Sequence, residues 1–165
     1  MKNAATPRVI EVRPIDAERF APFGQLLEVP ANGTRQDYAG LLSTTEHGLK
    51  PNLAVIRAEP RDMPLELKAM ERHPSSSQAF MPLSATRYLV LVCPSTKDDK
   101  PDLDRLEAFE CNGNQAINYN RGTWHHGMTA LGAPGTFAMF MWDEGSERDT
   151  EWSKVEQPIL IRTDG

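Results

Sequence analysis

Two apolar runs separated by three residues, Gln78-Ala-Phe-Met-Pro-Leu83 and Arg87-Tyr-Leu-Val-Leu-Val-Cys93, decide the fold class. Each run has the length of a β-strand, and the second is rich in the β-branched and aromatic residues that strands favour. The intervening Ser84-Ala-Thr86 has the length of a turn. We therefore predict that the two runs form a pair of neighbouring strands.

Short runs of the same kind recur on both sides of this pair. The further predicted strands are Val9–Arg13, Leu53–Arg57, Leu65–His73, Leu106–Cys111, Gln115–Tyr119, Gly135–Trp142 and Pro158–Arg162. Helix is predicted only at Pro14–Ala21 and as a single turn near Leu103, and residues 31–52 are expected to form a long loop. Asn112-Gly113 is a strong signal for a tight turn. With 13 prolines and 11 glycines, this pattern predicts one all-β domain over residues 1–165, a sandwich or barrel with a few short helices.

Composition excludes several classes of protein. The net charge of −5 argues against a general nucleic-acid binder, which needs a basic face. The first ten residues hold no apolar stretch long enough for a signal peptide, and the chain has no 18-residue apolar run. Cys93 and Cys111 are predicted to be two buried thiols and not a disulfide. We therefore expect a soluble cytoplasmic protein that binds neither nucleic acid nor membrane.

Two groups of polar residues carry the candidate chemistry. Glu71 and His73 lie two positions apart, so they project to one face of a strand, and Gln78 follows five residues later. The second group contains His125 and His126, of which only one can enter a pocket on a regular strand. The alternative is that the first group is an exposed strand end, since most charged residues are simply solvated.

The spacing of these groups resembles that of jelly-roll cupins. Those proteins carry His-x-His with a Glu or Gln four or five residues later, and then a turn that ends in Gly-x-x-His. Here Glu71-x-His73-x4-Gln78 and Gly122-x-x-His125 are similar to the two motifs, with Glu71 in place of the first His. The resemblance implies a jelly-roll, cupin-like β-barrel.

A wider set of segments resembles one family, the ureidoglycolate lyases. The segments in order are Phe20–Gly24, Arg57-Ala58, Glu71–Leu83, Asp99–Leu103, Ala108-Phe109, Asn112-Gly113, Asn118-Tyr119 and Trp124–His126. This resemblance spans roughly residues 10–162. It implies a homodimeric enzyme of allantoin and purine catabolism that splits (S)-ureidoglycolate into glyoxylate and urea. It also implies an association with a divalent metal, nickel in particular.

The reaction of such an enzyme suggests a role for each candidate residue. Cleavage needs a base for the carbinol hydroxyl and an acid for the departing nitrogen. We expect His125 or Glu71 as base and His73 as acid. The predicted substrate contacts are Arg57, Arg72, Gln78 and His126, with Arg57 the better candidate for the carboxylate because Arg72 alternates away from Glu71.

The predicted metal ligands are Glu71, His73, Gln78 and His125. Because a neutral amide is a weak ligand, a bound ion is expected to exchange readily. Three other interpretations of the function are consistent with the sequence. They are a non-catalytic cupin that binds a small ligand, an amidohydrolase that releases ammonia from ureidoglycolate, and a metal-dependent cupin oxygenase or isomerase. A cupin oxygenase would require more imidazole ligands for its metal than the motif positions supply.

Overall fold

The computed structural model describes residues 6–28, 31–45 and 48–163. Over these residues the chain is built mainly from short strands, as predicted. The strands are β1 (Arg8–Glu11), β2 (Arg13–Pro14), β3 (Gly24–Leu27), β4 (Lys50–Ala58), β5 (Leu65–Glu66), β6 (Ala69–Arg72), β7 (Gln78–Pro82), β8 (Arg87–Cys93), β9 (Glu107–Asn112), β10 (Ala116–Tyr119), β11 (Trp124–His125), β12 (Thr129–Ala130), β13 (Gly135–Asp143), β14 (Glu151–Lys154) and β15 (Ile159–Arg162). The helical pieces are α1 (Ala17–Phe20) and 3-10 turns at Ala39–Leu41, Leu103–Arg105 and Glu147–Asp149.

Two sheets pack face to face and form the barrel. One has the strand order β3-β10-β7-β13-β4, and the other has the order β14-β6-β11-β8-β9-β2 with β12 added beside β8. A smaller sheet, β1-β15-β5, covers the outer face of the second. This arrangement confirms the predicted jelly-roll, cupin-like barrel with few short helices.

Each face of β8 contributes to a separate core because side chains alternate along the strand. Tyr88, Val90 and Val92 point into the barrel and pack with Phe20, Phe109 and other aromatic side chains. Leu89, Leu91 and Cys93 point outward and pack against the small sheet. A strand buried on both faces reads as a continuous apolar run, which is the pattern that made this segment recognisable.

The predicted pairing of the two central runs is wrong. β7 lies between β10 and β13 in one sheet, whereas β8 lies between β9 and β11 in the other. The segment Ser84–Thr86 crosses from one sheet to the other, and Phe80 and Val90 belong to the same core. Asn112-Gly113 does turn, with the Gln115 amide donating to the Asn112 carbonyl at 3.0 Å, but it also joins strands of different sheets.

The predicted strand Leu65–His73 is broken. β5 pairs with β15, and β6 pairs with β11 and β14, so the chain changes sheet at Leu67 and Lys68. Leu67 and Met70 are both fully buried. On one regular strand they would lie on opposite faces, and the prediction placed only the face of Leu65 and Leu67 in the core. The break lets β6 place Glu71 inside the barrel.

The remaining differences involve short elements. The helix predicted at Pro14–Ala21 is the single turn α1, which begins where the Asp16 carboxylate accepts from the Arg19 amide at 2.9 Å. The predicted loop 31–52 contains one 3-10 turn and the start of β4; residues 46–47 lie outside the described residues. Cys93 and Cys111 are buried free thiols, as predicted, and burial raises the pKa of each to about 12.

Candidate active site

Three ionisable side chains meet inside the barrel. Glu71 on β6 and His125 on β11 are directly paired in register, and His73 follows the end of β6. The Glu71 Oε1 atom lies 3.6 Å from His125 Nε2, and one ligand atom from each of the three residues lies within 4.8 Å of the others. His73 is 7% exposed and His125 is 2% exposed. The structure thus brings together the three residues that the sequence proposed for proton transfer.

Backbone carbonyls orient both imidazoles. His125 Nδ1 lies 2.8 Å from the Thr123 carbonyl oxygen, and His73 Nδ1 lies 2.9 Å from that of Asp149. A carbonyl oxygen only accepts, so this geometry assigns the proton of each neutral ring to Nδ1. Each ring therefore presents the lone pair of Nε2 to the cluster. These contacts were not predicted, because they depend on loops that approach from distant parts of the chain.

Several polar atoms of the cluster are left without partners. His73 Nε2, His125 Nε2 and Gln78 Oε1 are buried and make no hydrogen bond among the described residues. Gln78 reaches the cluster from β7 in the opposite sheet, and its amide nitrogen contacts the Met141 sulfur at 3.6 Å. Buried polar atoms are nearly always satisfied, so three acceptors without hydrogen bonds on neighbouring side chains indicate a site built for a ligand.

The same atoms suit a divalent cation. Two imidazole nitrogens and a carboxylate are donors that zinc, nickel and manganese accept. Ligand atoms that share one ion at about 2.1 Å lie at most about 4.2 Å apart, so the 4.8 Å group needs only small side-chain adjustments. Glu71, His73 and His125, three of the four predicted metal ligands, thus form a group that fits an ion.

The titration behaviour of the cluster follows from burial and mutual charge. Burial lowers the pKa of His73, and the nearby His125 lowers it further, with partial compensation by Asp149 and Glu71. Burial raises the pKa of Glu71, but the close contact with His125 and the charges of His125 and His73 outweigh it, so the pKa is lowered. At neutral pH the cluster therefore contains a carboxylate and a neutral His73, both able to accept a proton.

Tyr119 forms one wall of the cluster and was not among the predicted site residues. Its ring stacks on His125 with a centroid distance of 4.3 Å and an interplanar angle of 16°. The ring is almost fully buried and also meets Phe20 and Phe80 edge-on. The packing holds the imidazole plane, but a tyrosine in an apolar strand carries no signal of that role.

Arg72 lies on the other face of β6, away from Glu71. Its guanidinium donates to both carboxylate oxygens of Asp99, at 2.6 and 2.7 Å, and to Glu151 at 2.7 Å. It also lies 4.6 Å above the ring of Trp124, which packs in the outer core. The structure does not bring Arg72 to the cluster.

Arg57 and His126 both line a cavity of about 430 Å³ beside the cluster. Arg57 lies on the outer face of β4, where its Nε is 2.5 Å from Glu59, and its side chain is 62% exposed. His126 is half-buried and faces away from the cluster formed by His125, as expected for adjacent positions. Burial lowers the pKa of His126, and a hydrogen bond from the imidazole to the Gly127 backbone partly offsets this effect.

Comparison with solved structures gives the same barrel. A dTDP sugar isomerase from Desulfovibrio desulfuricans G20 superposes with a TM-score of 0.50 at 17% identity, covering 82% of this chain and 83% of that one. At that level of identity the likeness concerns the fold alone. No helix among the described residues is long and apolar enough to cross a membrane.

Comparison of sequences is more specific. The chain is 32% identical over 164 residues to the ureidoglycolate lyase of Pseudomonas putida (strain W619), covering 93% of this chain and 97% of the relative. It is 34% identical over 139 residues to that of Burkholderia mallei (strain NCTC 10229), covering 79% and 80%. A family model described as ureidoglycolate lyase matches residues 7–162. The match spans β1 to β15 and every residue of the cluster, and the chain therefore belongs to the ureidoglycolate lyase family.

Proposed function

We propose that the chain is a lyase that cleaves (S)-ureidoglycolate into glyoxylate and urea at the cluster of Glu71, His73 and His125. One observation carries the assignment of the site: the buried Nε2 atoms of both imidazoles lie beside one carboxylate and make no hydrogen bond with any residue that the structure describes. A non-catalytic binding cupin does not require such a set of proton acceptors.

The chemistry of the substrate defines what the site has to do. One carbon carries a hydroxyl, a carboxylate, a hydrogen and the ureido nitrogen. The base takes the hydroxyl proton, the oxygen's electron pair forms the glyoxylate carbonyl, and the carbon–nitrogen bond breaks. The departing nitrogen gains a proton and leaves as urea, so no water is consumed.

The orientation of the imidazoles suits the base role. His125 and His73 each present an Nε2 lone pair, while the carbonyls of Thr123 and Asp149 hold Nδ1. Glu71 lies beside His125 and stabilises the imidazolium that forms when this ring accepts the proton. We propose His125 as base, aided by Glu71. The proton that His125 takes from the hydroxyl passes to the departing nitrogen through Nε2 of His73, whose ring centroid lies 5.4 Å from that of His125. The Gln78 amide, which lies beside His73, is suited to bind the ureido group.

A divalent metal is compatible with this arrangement. Glu71, His73 and His125 would hold it, with Gln78 as a weak fourth ligand. Such an ion would polarise the substrate hydroxyl and lower its pKa. Nickel is one candidate, and the identity of the ion is open to elemental analysis.

We also propose that the enzyme is a homodimer that works in the cytoplasm in allantoin and purine catabolism. The support for a dimer is an apolar patch on the outer face of the first sheet. Leu53, Val55 and Leu83 there are 70%, 70% and 59% exposed, and β4 is the terminal strand of that sheet. Exposed apolar patches beside a free strand edge are typical of interfaces. Light scattering on the wild type and on Val55→Glu tests this: we expect a dimer and a monomer, respectively.

Product analysis tests the reaction. Purified protein supplied with ureidoglycolate is expected to release glyoxylate and urea in equal amounts, above the rate without enzyme. Ammonia as the main nitrogen product would identify an amidohydrolase instead. Binding without turnover would identify a binding protein.

A further inference from the structure

The cavity that contains Arg57 and His126 opens beside the catalytic cluster. Its lining includes Ala69 on β6 and Trp152 on β14. Trp152 is the cross-strand partner of Glu71, and Ala69 lies two residues before it, so all three share one face of the sheet. A Cβ atom added to Gly127, also in the lining, would lie 3.8 Å from Glu71 Oε1. The cavity therefore adjoins the carboxylate of the cluster.

Three cationic side chains line this cavity, and two of them are paired. Arg57 is bound to Glu59 at 2.5 Å, and Lys68 is bound to Glu66. Arg61 forms no ion pair and no hydrogen bond with any residue in the described parts of the chain. It is therefore the cavity's one guanidinium, among those residues, whose charge is not already matched.

His126, the chain neighbour of His125, lines the same cavity as Arg61. It interacts electrostatically with both Glu71 and Arg61, which places the guanidinium within reach of the cluster's field. Arg61 thus provides the unmatched positive charge close to the place where a substrate carbon meets Glu71.

We propose that Arg61 is the specificity-determining residue that binds the carboxylate of the substrate. This inference rests on the proposed function, and it means that the site accepts substrates of the α-hydroxy carboxylate class. A guanidinium binds a carboxylate through two parallel hydrogen bonds, which fixes orientation as well as affinity. With the carboxylate held in the cavity, the carbinol carbon is directed towards His125 and Glu71.

The test separates charge recognition from chemistry. Arg61→Gln removes the charge, and Arg61→Lys keeps it without the two-pronged geometry. Arg105→Gln is the matched control, since Arg105 is an exposed arginine on the 3-10 turn Leu103–Arg105 that also has no ion pair among the described residues. The measurements are kcat and KM with ureidoglycolate, and calorimetric binding of glycolate and of its neutral analogue glycolamide.

For Arg61→Gln we expect KM and the glycolate Kd to rise roughly 10- to 100-fold, the range for one charged hydrogen-bonded contact. We expect kcat to change by less than about 5-fold, and glycolamide binding to stay unchanged. Arg61→Lys is expected to restore part of the affinity. The control is expected to match the wild type. Because Arg61 is exposed, the melting temperature of its variants is expected to stay that of the wild type.

Unchanged KM and glycolate Kd in Arg61→Gln would overturn the inference, and so would equal losses of glycolate and glycolamide binding. Glycolate binding does not depend on turnover. If the wild type fails to cleave ureidoglycolate but binds glycolate in an Arg61-dependent way, the proposed function is wrong and the carboxylate site stands. If turnover is normal and Arg61→Gln is silent, only the carboxylate site is wrong.

Discussion

Replacing Glu71 with Gln is the substitution that examines the catalytic cluster with the least disturbance of its shape. The side chain keeps its size and loses one negative charge. In the wild type, Glu71 Oε1 lies 3.6 Å from His125 Nε2. At that separation and an effective dielectric constant of about 20, a carboxylate and an imidazolium attract each other by about 4–5 kcal/mol.

This attraction acts after His125 has accepted the proton, so its loss raises the barrier. Each 1.4 kcal/mol corresponds to about tenfold in rate, and a Gln amide that contacts the ring offsets part of the loss. We expect kcat to fall roughly 100- to 1000-fold, within the usual range for acid–base groups. Loss of a metal ligand acts in the same direction.

The assay is the initial rate of glyoxylate release at pH 7.5, corrected for the rate without enzyme. Glu18→Gln is the matched control, because Glu18 is exposed in α1, and it is expected to keep the wild-type rate. The melting temperature of Glu71→Gln is expected to stay within a few degrees, since a partly buried charge is removed and no packing volume is lost. A rate within about 3-fold of wild type would refute a catalytic role for this carboxylate.

Two further predictions concern the cluster and its neighbour His126. Folding lowers the pKa of His73 and that of His126, so below the ordinary histidine pKa of about 6.5 the unfolded chain binds more protons than the folded chain. The free energy of unfolding is therefore expected to fall as the pH falls through that region. Urea unfolding of chelated protein at pH 7.5, 6.5 and 5.5 measures this decrease, and a free energy that does not change with pH would contradict the prediction. The amide of Gln78 is a weak ligand, so purified protein should contain less than one metal ion per chain and keep substantial activity after chelation. One tightly held ion per chain, with activity lost on its removal, would contradict this and would make metal binding the main role of Glu71, His73 and His125.

The fold class could be predicted because local pattern is enough to identify strands. The run Arg87–Cys93 is buried on both faces and lies at the centre of its sheet, so its residues carry a strong apolar signal. Pairing depends on contacts between distant segments, and the turn at Ser84–Thr86 looks like a hairpin although it joins two sheets. The two-residue strands β11 and β12 are too short for any period to be read from them.

For the site too, local sequence pattern predicts some features and tertiary contacts determine the others. Glu71 and His73 could be assigned to one face from their spacing, and the motif resemblance added Gln78 and His125. The role of Arg61 could not be predicted, because it depends on Arg57 and Lys68 already having partners and on β6 and β14 bordering the same cavity. Such properties arise from tertiary structure and leave no local trace in the sequence.

Reaction at this site requires that His73 and His125 present unprotonated Nε2 atoms to the substrate. Long-range proton–nitrogen NMR correlations of histidine-labelled, chelated protein at pH 7.5 measure this directly, with His73→Gln and His125→Gln used to assign two of the four imidazoles. The predicted spectrum has Nδ1 protonated and Nε2 unprotonated in both rings, and glycolate shifts the Nε2 signals. Rings protonated at Nε2, or Nε2 signals that do not respond to saturating glycolate, would contradict catalysis by this cluster.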